Sequence, residues 1–332
     1  MRHLPAKPER NLQIKNFDSI QTVAVIGAGT MGAGIAGEFA RLGCTVRLMD
    51  VNSDLVRRGL QHARHAARAL VHAGRLTASR SRAALDRIHP TTALDAACDQ
   101  VDLVVEAVSE SLPLKQQLFR RVEALCPRHA LLASNTSGLS ITRIARGTKR
   151  PERVAGMHFW NPPHLVPLVE ITKGRSTSDA TARALLAVCR RMGKRPILVR
   201  HDIPGFVGNR LQFAVVREAL HLLEQGVASA EDIDTAMTAG PGLRYGLLGP
   251  LRTADLGGLD VFHAISGYLF PELSAAGKPS KLLASLVRQH KLGVKTGTGF
   301  YRYSPTDLRR ILARRDRVLL GFSQVLKNQP SR

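Results

Sequence analysis

Residues 22–50, TVAVIGAGTMGAGIAGEFARLGCTVRLMD, leave a chain few folds to adopt. Val23 to Ile26 is a short run of mostly β-branched apolar residues, the pattern of a strand buried on both faces. It runs into Gly27-Ala28-Gly29-Thr30-Met31-Gly32, and Ala33 to Leu42 then read as a helix that stops at Gly43. A second strand, Thr45 to Met49, ends at Asp50. Gly27 allows the tight turn, Gly29 lets a diphosphate approach the backbone, and Gly32 lets helix and strand pack closely. Free N–H groups at the positive end of the helix, where Thr30 and Met31 stand, would carry that diphosphate. Asp50 arrives about twenty residues on, where a carboxylate accepts from both hydroxyls of the adenosine ribose. A 2′-phosphate beside Asp50 would be repelled. Arg47 is directed to the opposite face by strand alternation. These residues predict a dinucleotide site that takes NAD.

The 332 residues suffice for two domains, each with its own core. No apolar run approaches the length of a membrane span, so no membrane partner is expected. Residues 1–20 are basic and slightly proline-rich and lack the apolar centre of a secretory signal, which fits a flexible arm better than a transit helix. Cys44, Cys98, Cys126 and Cys189 are widely scattered, as free thiols in a reducing compartment would be, and the expected location is cytoplasmic. The net charge of +22 raises nucleic acid, a polyanionic small ligand or a merely arginine-rich composition. The arginines are spread along the chain and aromatic residues are sparse, which argues against a specific nucleic-acid partner.

Strands expected at Val101 to Ala107, Ala130 to Ala133, Val154 to Met157, Leu168 to Thr172 and Pro196 to Val199 alternate with helices. The helices are Asp54 to Ala73, Ala78 to Ile88, Ser111 to Leu125 and Asp179 to Met192. The fold class is therefore α/β, a Rossmann-type doubly wound and mostly parallel sheet over residues 21–203. From Pro204-Gly205 onward only helical patterns stand out, giving a helical domain over 204–304 and a basic, amphipathic extension over 305–332. The apolar positions of the helical part exceed what one small bundle buries, so dimerisation through its helices is expected. Arg57, Arg64, Arg68 and Arg75 share one helix face, either a solvated flank or a rail for an anionic group such as 3′-phospho-ADP.

Four polar residues fall at strand or loop ends, where open parallel sheets place ligands: Ser137, His158, Glu170 and Asn209. A nicotinamide takes a hydride from an alcohol carbon, and the hydroxyl proton needs an acceptor, which a histidine supplies near neutral pH. A carboxylate on the other ring nitrogen would fix the tautomer and stabilise the imidazolium. Ser137 and Asn209 could hold substrate oxygens and polarise the developing carbonyl. His164 competes with His158 but lies in a proline-rich loop. No spacing of His, Cys and Asp suggests a metal.

Seven blocks from Val23 to Tyr303 sharpen this: VIGAGTMGAGIA, DLVVEAVSESLPLKQQLF, SNTSGLSIT, GMHFWNPPHLVPLVEI, PGFVGNRL, DIDTAM and GVKTGTGFYRY. In this order the chain resembles the L-3-hydroxyacyl-CoA dehydrogenases, including the 3-hydroxybutyryl-CoA enzymes. The resemblance implies that His158 is the acid/base with Glu170 as partner, and that Ser137 and Asn209 contact the substrate's hydroxyl or thioester oxygen. It puts Glu110, Lys115 and Asn135 on the NAD side of the site. It also implies an acyl-CoA substrate in a cleft between domains and a homodimer through the C-terminal domain. With CoA expected, Arg57, Arg64 and Arg68 become candidates for its phosphates. Two regions depart from the family pattern, Gly240 to Asp260 and the NPPHLVPLVE loop after His158. The loop also resembles relatives that act on carnitine or gulonate, the latter being the λ-crystallin group, so a non-CoA 3-hydroxy acid or a non-catalytic homologue is the alternative. GFYRY favours the hydroxybutyryl-CoA enzymes.

Overall fold

A computed structural model describes residues 20–327. Of the expected N-terminal arm only Ile20 is described, and residues 328–332 of the C-terminal extension also lie outside the described residues. The chain divides into two compact units, the first ending at Asn209 and the second beginning at Arg210.

The first unit is built on eight strands: β1 (Thr22–Ile26), β2 (Thr45–Met49), β3 (Ile88–Thr91), β4 (Leu103–Glu106), β5 (Leu131–Ser134), β6 (Val154–Phe159), β7 (Leu168–Lys173) and β8 (Arg195–Val199). They form one sheet in the order β3-β2-β1-β4-β5-β6-β7-β8. Every neighbouring pair is parallel except β6 and β7, so β7 and β8 run against the rest.

Helices cover both faces: α1 (Thr30–Leu42), α2 (Ser53–His72), α3 (Ala78–Leu85), α4 (Leu94–Cys98), α5 (Leu112–Leu125), α6 (Ile141–Ile144) and α7 (Asp179–Arg191). Alternation along each strand feeds two separate cores. Val23 and Val25 of β1 point into the core under α1, α2, α3 and α7, whereas Ala24 and Ile26 point into the core under α4, α5 and α6. The chain reverses direction across the sheet between β1 and β4, and such a switch point is where open α/β sheets leave a crevice for ligands.

Two elements differ from the sequence reading. The helix expected to reach Ile88 ends at Leu85, and Ile88 instead opens β3, an edge strand that tolerates Pro90. The short helix α4 follows it.

The second unit contains most of α8 (Gly208–Glu224), followed by α9 (Ala230–Ala239), α10 (Pro241–Leu248), α11 (Pro250–Gly257), α12 (Leu259–Leu269), α13 (Lys281–Arg288) and α14 (Pro305–Lys327). Between α13 and α14 the chain makes only isolated bridges, and the Tyr301 hydroxyl there donates to Asp234 of α9 at 2.7 Å. The helix α14 packs on α10, because a side chain at Gly246 would meet the Phe322 ring at 2.9 Å. Among the residues from Arg210 on whose burial is described, Thr253 is the one buried residue, and Leu211, Phe213, Leu251, Leu256, Tyr268 and Phe270 are exposed. No helix among the described residues is long and apolar enough to cross a membrane.

Candidate active site

The glycine-rich turn is placed by the strand and helix that flank it. Gly27 sits at φ +102°, and a side chain there would run into the backbone of Ala107. A Cβ on Gly32 would fall 1.7 Å from the carbonyl oxygen of Gly27, so this glycine is required by the protein's own packing. Gly29 is different. Its backbone is extended, at φ −65° and ψ −175°, and a Cβ would find nothing within 4 Å. It caps α1 without any side-chain bond, so the first N–H groups of that helix, Thr30 and Met31 included, are open to an anion.

Asp50, at the end of β2, accepts the N–H of Ala28 at 2.7 Å on one oxygen and that of Val51 at 2.7 Å on the other. Each oxygen keeps a lone pair for a hydroxyl donor. Gly27, Gly29, Asp50, Val108 and Ser109 line one cavity of about 680 Å³ at the switch point. Open space at Gly29, free helix N–H groups and a carboxylate with spare acceptors fit the diphosphate and ribose of a dinucleotide. Arg47 turns away, donating to the carbonyls of Ala96 and Asp99.

Behind this crevice lies a buried charge cluster. Glu106, the last residue of β4, faces Lys115 of α5 at 2.6 Å, both almost fully enclosed. Glu106 also accepts the Ser134 hydroxyl at 2.6 Å. Lys115 reaches Glu110 at 3.3 Å, and Glu110 accepts the Thr136 hydroxyl and the N–H of Ser137 at 3.0 Å. Lys115 thus braces Glu110 from beneath. Asn135 ties β5 to β6 by accepting the N–H of Phe159 at 2.8 Å.

His158 and Glu170 sit directly opposite each other in the antiparallel register of β6 and β7, and that pairing is what brings them together. The Nδ1 of His158 lies 2.8 Å from Oε2 of Glu170, with both residues buried. The other oxygen of Glu170 accepts the N–H of Val207 at 3.1 Å and of Gly208 at 2.9 Å. Those donors are aimed by a turn in which Gly205 and Phe206 both take left-handed backbone, at φ +76° and +51°. Such backbone is strained for phenylalanine. The Phe206 ring stands edge-on to the imidazole with centroids 6.1 Å apart. Burial alone would push the Glu170 carboxyl up, but the bonds from His158, Gly208 and Val207 together outweigh it and hold it below the usual carboxylate range. Glu170 stays an anion, and an anion on Nδ1 leaves the far nitrogen of His158 as the proton acceptor.

Asn209 donates from its side-chain amide to the carbonyl of Ser137 at 2.8 Å. Since Gly208 bonds Glu170 and Asn209 bonds Ser137, two consecutive residues join the His158/Glu170 pair to the Ser137/Asn209 pair. Ser137 is exposed.

Two residues to which the sequence reading gave no role also hold this region. Trp160 donates its indole N–H to Glu170. Lys194, buried just ahead of β8, pairs with Glu38 of α1 at 2.8 Å and donates to the carbonyls of Pro163 and Val166. It thereby fastens the loop that follows His158. Trp160 acts across ten residues and Lys194 across 28 and 31, and neither contact leaves a local pattern. His164 lines a small cavity beside α1 and α2.

The arginine face of α2 divides. Arg57 pairs with Asp54 at 2.9 Å on the exposed surface. Arg64 and Arg68, with Arg82 of α3, line a groove of about 940 Å³ whose apolar side is Leu60, Leu85 and Ile88. All four cysteines are free and buried, and burial pushes the thiols of Cys44 and Cys189 up to about 11 and about 12, so neither serves as a nucleophile at neutral pH.

Known proteins resemble the chain along most of its length. The profile of the 3-hydroxyacyl-CoA dehydrogenase NAD binding domain matches residues 22–203, and that of the 3-hydroxyacyl-CoA dehydrogenase C-terminal domain matches residues 205–303. A 3-hydroxybutyryl-CoA dehydrogenase of Clostridioides difficile is 38% identical over 283 residues, 85% of this chain and 99% of that protein. A 5-formyl-3-hydroxy-2-methylpyridine 4-carboxylate 5-dehydrogenase of Mesorhizobium japonicum is 33% identical over 310 residues, 93% of this chain and 99% of that protein. The crystal structure of an enzyme of that description, an NAD-dependent dismutase, superposes with a TM-score of 0.87 at 32% identity, covering 94% of this chain and all of that one.

Proposed function

Because the chain belongs to the 3-hydroxyacyl-CoA dehydrogenase family, we propose that it interconverts a short-chain L-3-hydroxyacyl-CoA and its 3-ketoacyl-CoA with NAD. The observation that carries this reading is the buried His158/Glu170 contact of 2.8 Å. When bound, NAD supplies the acceptor for the substrate's hydride. The chain's own groups do the rest. The free nitrogen of His158 takes the hydroxyl proton during oxidation and returns it during reduction. Glu170, already holding four donors, fixes the tautomer and stabilises the imidazolium without taking the proton itself. Ser137 and Asn209 hold the substrate's oxygens, and Asn209 polarises the carbonyl as it forms. Gly29, Thr30 and Met31 carry the diphosphate, Asp50 the adenosine ribose, and Glu110, braced by Lys115, stands on the nicotinamide side. In the groove of Arg64, Arg68 and Arg82, guanidiniums would pair with the phosphates of the CoA nucleotide.

The active form is a homodimer. The second unit, which leaves its large apolar side chains exposed in a single chain, supports this, since a monomer rarely keeps so much of that surface open. Buried, unpaired thiols suit a reducing location such as the cytoplasm.

A second reading has one specific observation in its favour. The match to the pyridine-carboxylate enzyme covers more residues than 22–303 contain, so it takes in chain outside both family profiles. On that reading the same histidine works on a ring acid without CoA. NADH oxidation measured with acetoacetyl-CoA, beside 5-formyl-3-hydroxy-2-methylpyridine-4-carboxylate, dehydrocarnitine and a gulonate counter-assay, separates the two. Turnover at least about a hundredfold better with acetoacetyl-CoA is expected. Preference for any of the others would replace the substrate, and inactivity with all would favour a non-catalytic homologue.

A further inference from the structure

Trp160 is the chain's single tryptophan and stands two residues beyond His158. Its Nε1 donates at 3.3 Å to Oε2 of Glu170, the same oxygen that faces His158 at 2.8 Å. The two rings lie 5.6 Å apart, tilted by 52°. The place for the indole is built into the backbone. A Cβ on Gly208 would come within 2.4 Å of the Trp160 ring, so the residue that donates to one oxygen of Glu170 also makes room for the donor to the other. A phenylalanine would fill the same space, but only tryptophan brings an N–H to that oxygen.

We propose that Trp160 is a positioning residue that sets the proton affinity of His158 through Glu170. Its N–H withdraws charge from the oxygen that faces the imidazole, which makes His158 a weaker base than an isolated Glu–His pair would give. The imidazole then stays unprotonated, and able to accept the substrate's proton, at lower pH. The charged Glu170, from β7, faces this ring, while Trp160 after β6 and Phe206 before α8 pack on it as neutral groups. The proposal rests on the reading of His158 as the proton acceptor.

The test is the pH dependence of kcat/KM for oxidation of L-3-hydroxybutyryl-CoA in the unmodified enzyme and in Trp160→Phe. Loss of one donor to Glu170 should move the acid limb to higher pH by about half a unit to one unit, with the plateau changed less than the limb. A limb within about 0.2 unit of the original, in a folded variant, would reduce Trp160 to packing. A second measurement needs neither the variant nor turnover. Protonated imidazole quenches a nearby indole, so emission from the sole tryptophan of the unmodified chain should fall as His158 takes up its proton. That step should vanish in His158→Asn. No step, or one that survives in His158→Asn, overturns the proposal. Absence of turnover would instead count against the proposed reaction and leave the emission titration to decide this point.

Discussion

The carboxylate of Asp50 accepts the N–H of Ala28 at 2.7 Å, so the residue that closes β2 also fixes the middle of the glycine-rich turn. On the proposed reading the same group shapes the diphosphate site and selects the ribose. Asp50→Asn keeps an oxygen for Ala28 but gives up the charge, while Asp50→Ala gives up both. NADH affinity is expected to fall about tenfold or more in Asp50→Ala, the loss of bonds to a charged acceptor. The preference over NADPH should narrow in both variants. Binding titrations with the two reduced cofactors measure this. Equal affinity for NADPH in the unmodified protein would end the ribose argument.

Two glycines three residues apart behave oppositely toward a methyl group. Gly29→Ala meets no protein atom within 4 Å, whereas Gly32→Ala places its Cβ 1.7 Å from a carbonyl oxygen. Gly29→Ala should keep its Tm within a few degrees and lose NADH affinity by about tenfold or more. Gly32→Ala should destabilise the whole unit by several kcal/mol, on the order of the largest single-residue effects. Thermal melts with and without NADH distinguish the two. Equal loss of stability in both would mean that Gly29 is also structural.

His158→Ala removes the proposed proton acceptor and leaves the residues proposed for the dinucleotide untouched. Turnover should drop by roughly 10² to 10⁴, with NADH binding little changed. Steady-state assays paired with cofactor titration check it, and an unchanged rate would strip His158 of its role.

Glu170 titrates below the ordinary 4.5 in the folded chain. The unfolded chain therefore binds this proton more readily, and the stabilisation that the anion contributes is complete above about pH 4.5. It is lost as the pH falls through the folded value. Glu170→Gln has no such proton to bind. The Tm advantage of the native protein over Glu170→Gln should shrink as the pH is lowered from about 6 toward about 3. A pH-independent gap would show that the carboxylate's charge contributes nothing to folding.

The sheet's strands and the glycine-rich turn could be read from local patterns because each signal is short-range: a β-branched run, a spacing of glycines, an acid at a strand end. β3 was hidden because Pro90 argues against a strand unless the strand lies at an edge, and edges are a property of the whole sheet. The helices α10 and α11 each begin at a proline beside a glycine, a pair that marks a turn in sequence, although proline suits a first helical turn. The reversal of β7 and β8 leaves no mark in composition, yet it is this reversal that sets His158 opposite Glu170. Trp160 and Lys194 gave no warning, since an indole aimed at a carboxylate and an ammonium capping two carbonyls depend on segments that meet only after folding.

The arginine groove makes a prediction about substrate form. Replacing Arg64, Arg68 and Arg82 together by serine should raise KM for acetoacetyl-CoA about tenfold or more, as loss of charge-assisted phosphate contacts would. KM for an acetoacetyl thioester of N-acetylcysteamine, which has no nucleotide, should not change. Equal effects on the two thioesters, or none on either, would place the CoA nucleotide elsewhere.

Lys194 gives the peptide after His158 a mechanical character that its proline-rich sequence hides. An ammonium that is enclosed, matched to Glu38 and seated on two carbonyls of that peptide acts as a rivet. Swinging the peptide outward would leave the ammonium paired with Glu38 but without its two carbonyl acceptors, at a cost of about 1.5–3 kcal/mol for each such bond to a charged group. Such a segment is a fixed wall and not a hinged door, so if it borders the substrate, as the proposed function has it, a substrate of different shape is accommodated by different side chains on a stationary frame.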